Sequence, residues 1–429
     1  MVGAVAGARA GGRGRLALTA DPVPLRRNRE FVLLESGRLL SSAGTAATTI
    51  AYPLLTLALT GSATKAGVVG FARLVPYALF SLPAGLAADR WNRRWLMIGA
   101  DTVQALVIGG LALAVLLDRA AFWLIATAAF LEGAGSLFFG VASAGALRAV
   151  VPVRQLPAAV AMQRARAATV LLLGPPIGGA LFGLSRALPF AVDCCSYLFS
   201  LLSVSAMRTP FQEERERDAS PVRSQIAEGF RFLWSRPFLR ATTILYALGN
   251  VTVPALLLVV IVVGREEGLS GGEIGVLTAV VGGAVLLGSA ISPFLRRRLS
   301  MRAIIWVELW LGLGSGVFLI WPRAWVLVAW IAPLAAAYPV TDSVVISYRI
   351  AVTPDRLLGR SESIRVNLAR LIDPAGPLVA GLLLSAFSPR AAVGVFLGWS
   401  AGLLVWGMLN PALRAAPRLD ELEALQAGA

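Results

Sequence analysis

About twelve stretches of roughly 20 to 27 mostly apolar residues, set apart by short charged turns, leave this chain few folds to choose from. A hydrocarbon core of ~30 Å is crossed by about 20 helical residues rising 1.5 Å each. In lipid no water pairs with a free amide, so a spanning chain must be helical or form a closed barrel. Barrel strands would alternate over ~10 residues, and these runs do not. Their approximate bounds are residues 32–59, 66–88, 95–117, 121–146, 159–184, 188–207, 239–264, 272–294, 302–321, 325–348, 364–387 and 391–411. With 57% hydrophobic and 15% charged residues, against about 45–50% and about 25% in soluble domains, the fold class is an all-α membrane protein.

Arginines set the expected orientation. One set of connections holds Arg26, Arg27, Arg29, Arg90, Arg93, Arg94, Arg148, Arg154, Arg296 to Arg298, Arg349, Arg356, Arg360, Arg414 and Arg418. The other set carries single cations such as Lys65, Arg119, Arg186 and Arg265. By the positive-inside rule both termini are cytoplasmic, and an even number of spans, which puts both on one side, agrees with that. Residues 1–30, rich in Gly, Ala and Arg and without a secretory apolar core, read as a cytoplasmic tail, and residues 412–429 as a second one. The net charge of +15 is spread over short loops rather than gathered in one patch, so the expected partner is the bilayer and not nucleic acid. Cys194 and Cys195 are adjacent in an apolar run, which suits neither a disulfide nor a metal and leaves them as packing residues. With no histidine, any proton handling falls to carboxylates.

The longest internal connection, residues 208–237, carries Glu213-Glu214-Arg215-Glu216-Arg217-Asp218 and then an amphipathic piece from Ile226 to Trp234. It divides the chain into two six-helix halves, residues 31–207 and 238–411. An internal repeat supports the division. Pro152-x-Arg154-x-Leu156 recurs as Pro354-x-Arg356-x-Leu358, and Gly174-Pro175-x-x-x-Gly179 recurs as Gly376-Pro377-x-x-x-Gly381, both at an offset of 202 residues. Two separated blocks at one offset make the fifth and eleventh helices equivalent members of pseudo-symmetric halves. A weaker echo pairs Asp101 with Glu308.

Between the second and third spans lies Gly85-Leu86-Ala87-Ala88-Asp89-Arg90-Trp91-Asn92-Arg93-Arg94. Gly85 is expected to let two helices approach and turn, Asn92 to take a left-handed conformation, and Asp89 to meet helix-start amides or arginines. In the fifth span, Pro175 and Pro176 of Gly174-Pro175-Pro176-Ile177-Gly178-Gly179 remove backbone donors, while Gly174 and Gly178 offer a flat face. The first motif resembles the loop signature G-x-L-A-D-R-x-G-R-[RK] of the major facilitator superfamily, with Asn92 in place of the second glycine. The second is similar to the antiporter signature G-x-x-x-G-P-x-x-G-G of its exporting branches, with Val170 at the leading position. Gln155-Leu-Pro-Ala-Ala and Glu228-Gly-Phe-Arg-Phe-Leu extend the resemblance to the macrolide-efflux and enterobactin-exporter-like branch. It implies the major facilitator fold, a gating charge network of Asp89, Arg90 and Arg93 that Asp101 joins or merely flanks as an interfacial charge, and transport directed outward.

Ionisable groups within the spans are costly, so they mark pairing or proton handling. Glu132, near the middle of the fourth span, is the first candidate for a proton-coupled carboxylate, and a pair with Arg164 or Arg166 is its other reading. Asp342 and Asp373 follow, the latter placed to pair with Arg370 three residues away. Asp193 reads as a capped or hydrated charge near the end of its helix, and Glu35 and Arg38 as snorkelling charges. The resemblance implies a central cavity lined by the first, fourth, seventh and tenth helices. Ser42, Thr45, Thr49, Phe130, Phe138, Tyr246, Asn250, Tyr338 and Asp342 are its candidate polar and aromatic positions.

Such a cavity suits bulky amphipathic compounds. The leading expectation is a monomeric, proton-coupled exporter of drugs, antibiotics or siderophores in a bacterial inner or plasma membrane, needing no cofactor beyond the proton gradient. A proton-coupled uptake symporter and a lipid translocator on the same fold are the alternatives. An enzyme is not expected: there is no nucleotide-binding G-x-x-x-x-G-K-[ST], no metal cluster and no nucleophile with a base at useful spacing.

Overall fold

The computed structural model describes residues 24–209, 211 and 222–416. The proposed tails and the acidic run Glu213 to Asp218 lie wholly or largely outside these residues. Among the described residues, twelve helices are long and apolar enough to cross a membrane. They are α1 (Arg29–Thr60), α2 (Ala63–Arg90), α3 (Arg93–Leu116), α4 (Phe122–Val150), α5 (Val153–Leu184), α6 (Leu188–Ala206), α7 (Pro237–Glu266), α8 (Gly271–Arg298), α9 (Met301–Ile320), α10 (Ala324–Val352), α11 (Ser361–Ala386) and α12 (Pro389–Leu409).

Local chemistry sets the boundaries. Asn28 accepts from the Phe31 amide at the start of α1, and Ser62, Ser300 and Ser388 cap α2, α9 and α12 in the same way. Ser270 and Glu273 form a reciprocal capping box on α8. Gly61, with φ of 62°, ends α1 in the left-handed region that glycine tolerates. Asn92, expected in that region, instead has φ of −63° and ψ of 115° and caps α3 by accepting from the Arg94 amide. The turn is made by extended backbone, and a left-handed residue is not required.

Three spans are interrupted. In α7 the helix breaks between Gly249 and Thr252, in α9 between Leu311 and Val317 through a 3-10 turn at Gly314–Gly316, and in α11 between Ile372 and Ala375. Proline explains the breaks in α7 and α11: Pro254 cannot donate to the Asn250 carbonyl, nor Pro374 to that of Arg370. By contrast α5 runs unbroken through Pro175 and Pro176. A separate amphipathic helix, Val222–Ser235, precedes α7, and its Leu233 packs with Leu239 and Ile364.

The bundle has a near end, carrying the Trp91–Asn92 turn, and a far end opposite. At the near end each apolar cluster stays within one set of six spans: Phe31, Met97, Leu147 and Phe211 in one, Phe238, Met301, Val344 and Leu413 in the other. At the far end one cluster joins both sets, bringing Ile50, Leu54 and Ala66 onto Leu256, Val259, Ile274 and Phe396. Arg265 donates to the Leu54 carbonyl at 3.2 Å and the Ser385 hydroxyl receives the Thr64 amide at 2.9 Å across the same divide.

Two small-residue seams tighten this far end. A Cβ on Gly275 of α8 would lie 2.5 Å from the Pro175 carbonyl oxygen and 2.9 Å from the Pro176 Cα of α5. On Gly381 of α11 it would lie 2.5 Å from the Ala63 oxygen and 2.9 Å from the Gly67 Cα of α2. The 202-residue repeat therefore has a spatial meaning: Gly179 abuts Gly271 of α8 as Gly381 abuts Gly67 of α2, while Gly174 meets Ala46 of α1 and Gly376 meets the Val251 carbonyl of α7.

Candidate functional site

Three adjoining cavities of about 550, 400 and 340 Å³ run through the bundle, the first lined by the second set of spans, the last by the first set, and the middle one by both. Arg370 and Asp373 border the first two, and Thr45, Thr49 and Ser136 border the last two, so they form one central space. Each of the three is of a size that takes a drug-sized ligand. One end is aromatic and acidic, with Tyr246, Tyr338, Glu308, Asp342 and Asp373. The other is rich in hydroxyls, with Ser41, Ser42, Thr45, Thr49, Ser136 and Ser143 beside Arg38 and Gln104.

The proposed cavity residues fall unevenly in it. Thr45 and Thr49 line it from α1, Tyr246 and Asn250 from α7, and Tyr338 and Asp342 from α10. Phe138 does not: its neighbour Phe139 takes the wall position while also belonging to the buried near-end apolar cluster, and Phe138 packs against that cluster, because one residue turns a helix by about 100°. Tyr246 and Tyr338 face each other at 5.2 Å between ring centroids, and the Arg365 guanidinium lies 5.4 Å from the Tyr246 ring. Asp342 is 3.7 Å from Arg365, which also holds Glu362 at 3.0 Å. Glu362 in turn pairs with the buried Arg349. Asp373 sits in the α11 break, where the Arg370 charge acts on it without a contact within 4 Å. Instead the Arg370 guanidinium crosses the seam onto the Tyr77 ring of α2, 5.2 Å from its centroid.

Glu132 is fully buried on α4, and its partner is neither Arg164 nor Arg166. Arg73 of α2 supplies the charge, with Nη2 3.0 Å from Oε1 and 2.9 Å from the Thr45 carbonyl oxygen. Arg73 also faces the Tyr52 ring at 5.5 Å and borders the central cavity. Arg164 is exposed, and Arg166 is drawn to Glu35 at 3.0 Å. Glu35 and Arg38 are therefore not snorkelling charges: Glu35 joins α1 to α5 through Arg166 and Gln163, and Arg38 reaches the cavity wall. Asp193, expected as a capped or hydrated charge, is completely buried beside this group, its Oδ2 3.1 Å from the Thr48 hydroxyl. An α6 position that faces α1 and α4 excludes water whatever its distance from the helix end. Arg73 is the residue that a reading of spans one at a time missed; a lone arginine 11 residues into α2 was its signal.

The loop motif is looser than its spacing suggests. Gly85 lies inside α2, and a Cβ placed on it would find nothing within 4 Å, so no close approach depends on it. Asp89 ends α2 rather than starting a helix, and with 70% of its side chain exposed it meets Arg93 only at 3.9 Å. Arg90 is exposed. Arg93 is the structural member: it donates to the Ala88 and Phe211 carbonyls at 3.2 Å each and lies over Gly145 of α4. Asp101 is buried on α3, away from this loop, next to Ser200 of α6. In the fifth span, Gly174, Pro175, Gly178 and Gly179 form packing surface: Gly178 meets the Ala47 backbone of α1, and the others meet α1 and α8 as described.

With this geometry, similarity to known proteins becomes informative. The multidrug efflux pump Tap of Mycolicibacterium fortuitum is 27% identical over 408 residues, covering 92% of this chain and 97% of that pump. Macrolide efflux protein A of Streptococcus pyogenes is 23% identical over 163 residues, covering 38% of this chain and 40% of that protein. Among solved structures, the nucleoside transporter NupG superposes with a TM-score of 0.72 at 11% identity, covering 90% of this chain and 99% of that one. A bacterial homologue of the iron transporter ferroportin, in an inward-facing state, gives 0.68 at 19% identity, covering 89% and 98%. The structural likenesses show a shared fold. Twelve spans around a central cavity agree with the sequence model of the Major Facilitator Superfamily that matches residues 36–348, and the chain belongs to that superfamily of multi-pass membrane transporters.

Proposed function

We propose that this protein is a proton-coupled exporter of amphipathic organic compounds, working by alternating access with both termini in the cytoplasm. One observation carries the coupling: the Arg73–Glu132 ion pair is buried within the spans, yet Arg73 forms part of the cavity wall. A carboxylate so placed holds its arginine while ionised and releases it when protonated. Proton binding and the shape of the substrate cavity are thereby linked. No cofactor enters this scheme, and the proton gradient supplies the energy.

The far end is zipped by the two glycine seams and the shared apolar cluster, whereas near-end clusters stay within one set of spans. With the arginine-rich turns on the cytoplasmic side, this conformation is open towards the cytoplasm, ready to receive substrate there. Aromatic and carboxylate groups at one end of the cavity and hydroxyls at the other favour a molecule with both apolar and polar faces. Export rather than uptake is favoured by the likeness to efflux pumps along most of the chain.

Everted membrane vesicles test the proposal. With an imposed inward-acid gradient, wild-type vesicles should accumulate ethidium or erythromycin and lose part of the gradient as they do so. Glu132→Gln should abolish the proton movement. Substrate uptake driven in the opposite sense would establish a symporter, and a headgroup-labelled phospholipid moved in place of the drugs would establish a lipid translocator.

A further inference from the structure

Hydrogen-bond donors run short around Asp193, whereas Glu132 has Arg73 and, at 3.4 Å, the Tyr197 hydroxyl. The Thr48 hydroxyl lies 3.1 Å from Asp193 Oδ2, 3.4 Å from Glu132 Oε1 and 3.0 Å from the Thr45 carbonyl oxygen. It has one proton to give. The Ser196 hydroxyl lies 3.1 Å from Asp193 Oδ1 but 2.7 Å from the Asp193 carbonyl oxygen, so it too is divided. Asp193 thus has no donor of its own, while Glu132 takes the Arg73 guanidinium. On the Oδ1 side the α1 backbone at Gly44 leaves no room for water: even a single methyl there would meet the Asp193 carboxyl and would come within 2.5 Å of Ser196 Oγ. Both carboxyl groups are fully buried, the one cation beside them bonds Glu132, and a buried ionised acid without a charge partner is prohibitively costly.

We infer that Asp193 holds a proton in this conformation and that the Thr48 hydroxyl connects it to Glu132, so the proton exchanged in transport is shared by a two-carboxyl site. The inference rests on the proton-coupled reading and deepens it. A neutral Asp193 donates to Thr48 Oγ1, which frees the Thr48 proton for Glu132, so that one added hydrogen gives both the Asp193–Thr48 and the Thr48–Glu132 contact a donor. Transfer follows the same bonds: the O–H bond at Asp193 breaks as one forms at Thr48, and the original Thr48 proton passes to Glu132. The hydroxyl is restored, and one negative charge moves from Glu132 to Asp193. Arg73 then loses its partner on α4 and gains one on α6, so proton position and helix arrangement change together. The groups facing Asp193 are Thr48 and Tyr52 of α1, Arg73 of α2, Glu132 of α4, and Ser196, Tyr197 and Cys194 of α6 itself. Asp101 of α3 faces Ser200, about two turns further along α6.

Infrared difference spectroscopy of the purified, reconstituted protein at neutral pH tests this without any substrate. The wild type should show the carbonyl stretch of a protonated carboxyl group that disappears in Asp193→Asn, an isostere of the neutral acid, and persists in Asp101→Asn. Thr48→Val should keep the Asp193 band but lose gradient-driven ethidium accumulation in everted vesicles. Asp193→Asn should lose gradient-driven accumulation too while retaining downhill ethidium exchange. An unchanged spectrum in Asp193→Asn, or undiminished coupling in Thr48→Val, overturns the inference. Should wild-type vesicles move no ethidium under any gradient, the export reading falls, and the infrared result still decides who holds the proton.

Discussion

Substituting Gly381 by alanine puts the seam between α2 and α11 under direct load. The new methyl would lie 2.5 Å from the Ala63 carbonyl oxygen and 2.9 Å from the Gly67 Cα, both backbone atoms that no side-chain rotation can move. Ordinary carbon contacts begin near ~3.5 Å, so the helices must separate by roughly 0.5–1 Å. Overpacking of this kind costs about 1–3 kcal/mol. The cost falls on the conformation closed at the far end and vanishes once the seam opens. At about 1.4 kcal/mol per tenfold, the ratio of open to closed should rise roughly 5- to 150-fold. Spin labels at Leu184→Cys and Glu266→Cys, both exposed at the far ends of α5 and α7, with Cys194 and Cys195 replaced by serine, report the separation by pulsed electron resonance. The Gly381→Ala protein should gain a longer-distance population. Gly183→Ala, with nothing within 4 Å of its methyl, is the control. If both variants match the parent in distances and in thermal midpoint, the seam is not what holds the far end shut.

Three further outcomes follow from the charge geometry. Arg73→Leu strands a fully buried Glu132 and should cost about 3–5 kcal/mol, read as a lower thermal midpoint in detergent, and Arg73→Leu combined with Glu132→Leu should recover most of the loss. Asp89→Asn should leave that midpoint nearly unchanged, since an exposed pair at 3.9 Å is worth about 0–1 kcal/mol, whereas Arg93→Ala, which frees the Ala88 and Phe211 carbonyls, should lower it clearly. Transport loss in Asp89→Asn without loss of stability would place the role of Asp89 in another conformation. Tyr246→Ala should weaken substrate binding by removing one face of the Tyr246–Tyr338 pair, while Phe138→Ala should not, since Phe138 packs outside the cavity; equilibrium binding of erythromycin distinguishes them.

The membrane class, the spans and the internal repeat were all legible in the linear chain. Twelve runs of sufficient length have one stable arrangement in lipid, because every peptide group must find its partner within its own helix. Repetition is likewise a linear property, and Gly174 and Gly376 announced equivalent helices at one offset. Glu132 stood out because a carboxylate at mid-span is costly wherever it faces. Its partner was harder to find, for Arg73, Thr48 and Asp193 come from three other helices, separated from it by 59, 84 and 61 residues of sequence.

What the tertiary structure alone decided is which face each helix turns inward. Arg166, one candidate for Glu132, is taken by Glu35, and a single residue of rotation brings Phe139 to the cavity wall and keeps Phe138 from it. Sequence determined that the chain crosses a membrane twelve times, because burial of the backbone is settled locally, one helix at a time. The pairing of Glu132 with Arg73, and its link through Thr48 to Asp193, was settled only when α1, α2, α4 and α6 packed together, because charge pairing depends on distance through space, which helix rotation sets and chain order does not.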